Sequence, residues 1–261
     1  MVEKIVNNAE EKELFANAKS SMDAFELPTG WLDTESGQLY KDIELQEITG
    51  QEEDMLVAKN LSANQRMNNL MVSCVQRIGP HSDKTMIRRI VSELVSNDRF
   101  FLVYKIREIS LGPIYKFSAP CVHCQDNQLR IVDLSEVVIP GLKTPLKRVY
   151  DGKLPKTGLT YKWKILDGKG EEIAQKIIKK NENDLLSAGI LQRLQEIDGR
   201  PASIEMLKRL PVMDRNFLRN EFLSVEGEID DKIIVDCPAC GKSFDVEADV
   251  GKKEFFFPTV S

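Results

Sequence analysis

Asp98-Arg99-Phe100-Phe101-Leu102 returns further along the chain as Asp214-Arg215-Asn216-Phe217-Leu218. Each stretch precedes a cysteine pair by the same interval: 23 positions separate Asp98 from Cys121, and 23 separate Asp214 from Cys237. At that common offset of 116, Ile106 falls on Phe222 and Ile109 on Val225. Counted from Leu102 or from Leu218, apolar residues then stand at i, i+4 and i+7, one stripe of a helix. A repeat on this scale bears on the architecture before any single element does.

The likeness continues upstream with small slips. Leu27-Pro28-Thr29-Gly30 matches Leu154-Pro155-Lys156-Thr157-Gly158, and Tyr40-Lys41 with Ile43 and Leu45 matches Tyr161-Lys162 with Trp163 and Ile165. Ile48-Thr49-Gly50 and its acidic sequel match Leu166-Asp167-Gly168 and theirs, and Gln76-Arg77-Ile78 matches Gln195-Glu196-Ile197. Five resemblances in one order imply a diverged tandem duplication, residues 24–140 and 152–258. Residues 1–23 stand outside it as an N-terminal helical or flexible arm. Each copy is expected to open on a β-hairpin turning at Pro28/Gly30 or Pro155/Gly158. Helices follow at about 50–60, 64–79 and 84–96, and at about 171–181, 183–197 and 203–210. Asp98 or Asp214 then opens a further helix as its cap, with a local ion pair to the neighbouring Arg. A strand, a Cys-x-x-Cys turn and a return strand close each copy. The expected class is α+β, two copies of a hairpin-plus-helices unit joined by a shared, ribbon-like four-cysteine zinc site.

Cys121-Val122-His123-Cys124 and Cys237-Pro238-Ala239-Cys240-Gly241 carry the two-residue gap of a zinc knuckle, which lets both sulfurs approach one ion. Gly241 suits the left-handed turn such a knuckle makes. Structural zinc takes four soft ligands in a tetrahedron, so Cys121, Cys124, Cys237 and Cys240 are the expected metal ligands, one Zn2+ per chain. Three rivals remain: redox pairs of the thioredoxin kind, separate metals each completed by a second chain, and coordination by His123 in place of one cysteine. Cys74, in the run Leu70-Met71-Val72-Ser73-Cys74-Val75, reads as a buried helix residue.

The whole chain has 261 residues, 42% hydrophobic and 30% charged, as in ordinary globular proteins. No run is long and apolar enough for a membrane span or a secretory signal, so a reducing cytoplasm is expected, where paired cysteines more often bind metal than form disulfides. A net charge of −5 argues against nucleic acid as partner. Lys176, Lys179 and Lys180, with Arg88-Arg89, could form a local basic patch, but their spacing also fits a solvated helix face. His81 and His123 build no open metal site, Gly168-Lys169-Gly170 is too short for a phosphate loop, and no nucleophile elbow occurs. Glu52-Glu53-Asp54 reads as an acidic first turn. We therefore expect no catalytic residues, no small-molecule substrate and no enzymatic activity.

The order Leu-Pro-x-Gly (27–30), Ile-Thr-Gly-x-Glu-Glu (48–53), Asp-Arg-x-Phe-Leu (98–102), Ile-Arg-Glu-Ile-Ser-Leu-Gly (106–112), Cys-x-x-Cys (121–124) and Val-Asp-Leu (132–134) resembles the T-even-type phage baseplate hub assembly proteins and related tail assembly chaperones of contractile-tailed phages. The likeness spans most of 24–258, through Phe255-Phe256-Phe257-Pro258. It implies a non-catalytic protein of the baseplate hub, assembled in the host cytoplasm, with hub, spike or tape-measure proteins as partners. The family's cysteines fall on Cys121, Cys124, Cys237 and Cys240. The first knuckle lacks a following Gly, which leaves the shape of its turn open. The alternative is a zinc-ribbon regulator that contacts nucleic acid or a transcription complex.

Overall fold

The computed structural model describes residues 22–227, 232–247 and 255–257. The expected arm, residues 1–23, lies outside them apart from its last two positions. β1 (Asp23–Leu32), β2 (Leu39–Leu45) and β3 (Val75–Ile78) form an antiparallel sheet in that order. Between and after them come α1 (Gly50–Val57), α2 (Ala63–Cys74), α3 (Lys84–Glu93) and α4 (Ser96–Leu111). Thr49 with Glu52 and Ser62 with Gln65 make reciprocal capping boxes that satisfy first-turn donors of α1 and α2. A hairpin, β4 (Ile114–Pro120) and β5 (Asn127–Asp133), ends the first half.

The second half follows the same order. β6 (Tyr150–Lys153), β7 (Thr160–Trp163), β8 (Leu194–Ile197) and the short β9 (Arg200–Pro201) form one sheet. Its helices are α5 (Gly168–Lys180), α6 (Leu185–Leu191), α7 (Ile204–Arg209) and α8 (Val212–Glu226), and its closing hairpin is β10 (Lys232–Asp236) with β11 (Ser243–Glu247). The class is mixed α+β.

Likeness between the halves reaches single bonds. Ile48 N donates to Ser110 Oγ at 2.9 Å and Leu166 N to Glu226 Oε1 at 2.8 Å, acceptors 116 positions apart. Arg99 Nη1 donates to Val91 O and Arg215 Nη1 to Leu207 O, each eight residues back. The ladders β2–β3 and β7–β8 each skip one residue, Gln76 or Gln195. They also correct one pairing read in the sequence. Ile43 stands opposite Ile78 and Tyr161 opposite Ile197, so Tyr161 corresponds to Ile43 and not to Tyr40. The slip arises because the first hairpin is longer. A ring has changed strands here: Phe25 faces Ile43, whereas Gly152 faces Tyr161. The contact with the following helix is kept, Phe25–Phe101 at 6.4 Å and Tyr161–Phe217 at 6.3 Å, both edge to face.

Several local expectations fail for tertiary reasons. The helices read at 64–79 and 183–197 stop at Cys74 and Leu191, because Val75–Ile78 and Leu194–Ile197 pair with the open edges of β2 and β7. In the first half the turn is not at Pro28/Gly30. Those residues bulge within β1 while Asp33 closes the turn, its carboxylate accepting from Glu35 N and Ser36 N. Nor does Asp98 cap a helix. α4 starts at Ser96, and the Asp98 carboxylate instead accepts from Thr29 N and Gly30 N of the bulge, both at 2.8 Å. Asp214 holds Lys156 N and Thr157 N in the same way. The ion pair of Arg99 is not local either: it reaches Glu171 of α5 at 3.0 Å.

The larger core belongs to the first half around Trp31, Leu70, Ile90 and Leu102, and it also takes in Ile233, Val235 and Phe244 of the last hairpin and the buried Phe255 and Phe256. Arg107 receives this tail, its Nε donating to Phe255 O at 3.3 Å and its guanidinium lying over the Tyr115 and Phe255 rings. A smaller core surrounds Trp163, Leu194 and Phe222.

Candidate metal centre

Two hairpins deliver the four cysteines. In the first, Cys121 N donates to Asp126 O and Gln125 N to Cys121 O; in the second, Cys237 N donates to Lys242 O and Gly241 N to Cys237 O. The fifth residue of each knuckle is left-handed, Gln125 at φ 63° and Gly241 at φ 67°. The missing glycine therefore does not alter the first turn; Gln125 adopts the conformation that glycine adopts more easily. Hairpins β1–β2 and β6–β7 turn by the same two bonds, with Gly37 and Gly158 left-handed.

The sulfurs interleave. Cys121 Sγ lies 3.8 Å from Cys240 Sγ and Cys124 Sγ 3.6 Å from Cys237 Sγ, and all four fall within 4.8 Å of one another. A tetrahedron with zinc–sulfur bonds of about 2.3 Å has sulfur–sulfur edges of about 3.8 Å. The donor set thus fits one tetrahedral soft metal ion. It does not fit two independent redox pairs, since each cross-contact joins one knuckle to the other. Cys121 and Cys237 are buried and Cys124 and Cys240 exposed.

Four crowded thiols cannot all ionise without a cation. Against burial, the N–H groups of His123 and Cys124 bring Cys121 down to about 6. For Cys124, a favourable N–H from Asp126 is outweighed by burial and by Cys237, Cys240 and Cys121, which push it up to about 12. A divalent ion removes that conflict.

His123 N donates to Cys121 Sγ at 3.4 Å, while its exposed ring turns away, with Nε2 3.2 Å from Ser243 O. Cys74 is buried at the end of α2, and burial pushes its thiol up to about 12. His81 stands edge-on to Trp31 and Tyr40, far in sequence and role from the sulfurs. Lys176, Lys179 and Lys180 are exposed on α5, the last two in its final turn, where cations complement the helix dipole.

Reading the sequence missed Asp126 and Arg130. An alternating strand predicts Leu129 and Ile131 inward, yet they are 48% and 62% exposed and Arg130 is buried between them. The signal was the phase of the strand, set by the knuckle: Cys121 must face inward, and β5 leaves the turn with Arg130 on that side.

A cleft of about 220 Å³ separates the halves near Trp31, Glu93, Lys164 and Asp167. Among the described residues no helix is long and apolar enough to cross a membrane. No curated protein and no solved structure matches the chain. A family model described as T4 bacteriophage base plate protein matches residues 33–257.

Proposed function

The chain belongs to the T4 bacteriophage base plate protein family, and from that membership we propose a non-catalytic, zinc-stabilised structural or assembly protein of the central hub of a contractile-tail baseplate. As a phage baseplate protein it has other baseplate proteins for partners; within that set we assign it to hub, spike or tape-measure proteins, met during assembly in the host cytoplasm.

The observation that carries the zinc reading is the meeting of four sulfurs from hairpins more than a hundred residues apart. Four protein ligands leave no open position, which is the arrangement of a structural and not a catalytic zinc. A diverged duplication, residues 24–140 and 152–258, accounts for the pseudo-symmetric delivery of those ligands. The matched bonds of Arg99 and Arg215 and the matched slips at Gln76 and Gln195 support it. The non-catalytic reading is supported by how the inter-half cleft spends its carboxylates. Against the upward push of burial, Lys169 and Trp31 hold Glu93 below the usual range, and Asp167 is taken by Lys164 and Gly170 N. For the regulator reading, Arg89 is already engaged by Glu93 and Glu35.

Elemental analysis is expected to return one zinc per chain; two zincs, or equal stability without metal, contradicts the shared site. A tagged chain in infected cells should recover hub components. Recovery of no tail component, together with a gel shift that weakens steeply with salt, would transfer the case to the nucleic-acid regulator.

A further inference from the structure

Arg130 is an expensive residue in its position. Its side chain is 2% exposed, and its only ion pair among the described residues is to Asp126 at 3.4 Å, itself 22% exposed. Nη2 also meets Ala119 O and Asp126 O, while Nε and Nη1 have no acceptor among the described residues. The guanidinium crosses from the first hairpin to the second, where its Cζ lies 5.6 Å from the centre of the Phe244 ring. A buried cation so thinly partnered calls for negative charge nearby. Asp126 links it to the candidate metal centre, because Asp126 Oδ2 is 4.0 Å from Cys237 Sγ.

We propose that Arg130 is the counter-charge of the four-cysteine centre, a positioning residue that neutralises Asp126 beside Cys237 and offsets the charge of the loaded site. The inference rests on the zinc reading above. A divalent ion on four thiolates is a dianion, and Asp126 adds a further negative charge at its edge. Arg130 cancels that carboxylate and supports the thiolates with its field at short range in a low-dielectric setting. The second hairpin has Val246 at the corresponding strand position and Lys242 at the position of Asp126, so the arrangement is one-sided. The Cys237 side of the centre is the one it governs.

Two readouts on the full chain test this: zinc transfer to a chromophoric chelator, and the sulfur-to-cobalt charge-transfer band after loading with Co2+. Arg130→Met should release zinc roughly tenfold faster or more, on the scale of losing one buried charge partner, and move the cobalt band to lower energy. Arg130→Lys should restore most of both, and adding Asp126→Asn to Arg130→Met should restore part. A merely structural arginine would alter stability without moving the band. If Arg130→Met does not fold, Asp126→Asn alone decides, since it should slow release and move the band to higher energy. Unchanged release and an unchanged band in whichever of these variants folds overturn the proposal. A wild-type chain that takes up neither metal overturns the zinc reading itself, and Arg130 with it.

Discussion

The Asp98 carboxylate is fully buried while it accepts two backbone N–H groups, and burial pushes its pKa up to about 6 against the pull of Thr29 N, Gly30 N and Lys41. Its folded value lies above the free value of 3.8. The folded chain therefore keeps a proton that the unfolded chain has released, and this contribution to stability is present below about pH 4 and lost as pH rises through about 6. Urea midpoints of the wild type should fall between those values by a margin of order 2–3 kcal/mol in stability relative to Asp98→Asn, which has no such proton. A parallel pH dependence in the two proteins would refute this. Gln125 presents a simpler case. It occupies the left-handed position that glycine fills in the other three hairpin turns. Gln125→Gly should raise stability by about 0.5–1 kcal/mol, the left-handed strain relieved less the extra freedom of the unfolded glycine. Thermal melts of the metal-loaded protein measure it, and a lowered midpoint would show that the Gln125 side chain contributes more than its backbone costs.

Between elements, the junction of the halves turns on Arg99. From α4 it reaches Glu171 of α5, Asn68 of α2 and the carbonyl of Val91, and Gly168 leaves the room it needs, since a Cβ there would come within 2.7 Å of Arg99 Nη1. Arg99→Met should cost about 3 kcal/mol, most of it from leaving Glu171 partly buried without its partner. Hydrogen exchange should speed up in α5 and the end of α2 before the sheets respond; uniform acceleration would mean that Arg99 serves only its own half. Element types were largely legible in the sequence, because helix stripes, caps and turn residues are local signals. The third strands were not: Val75–Ile78 and Leu194–Ile197 continue an apolar pattern from the preceding helix and become strands only because an edge is open beside them. The role of Asp98 was hidden for the same reason, since its partners lie 68 and 69 positions away.

For the whole molecule, the metal centre and the Phe255–Phe256 tail both return the end of the chain to the first core. Structural zinc contributes on the order of 10 kcal/mol in small sites. Cys237→Ser should therefore lose the metal and detach the last hairpin, seen as a lower first melting transition and as alkylation of the buried Cys121. A variant that stays metal-loaded and melts as the wild type does would count against the clamp. The amino-acid order alone determined the two knuckles, their equal distance from each Asp-Arg, and the family pattern, because spacing along a chain survives without any knowledge of folding. Which sulfurs face which, that Arg99 joins the halves, and that Arg130 lies inward beside the knuckle were decided only in three dimensions. Those relations depend on strand phase and on contacts between residues far apart in sequence, and packing sets both.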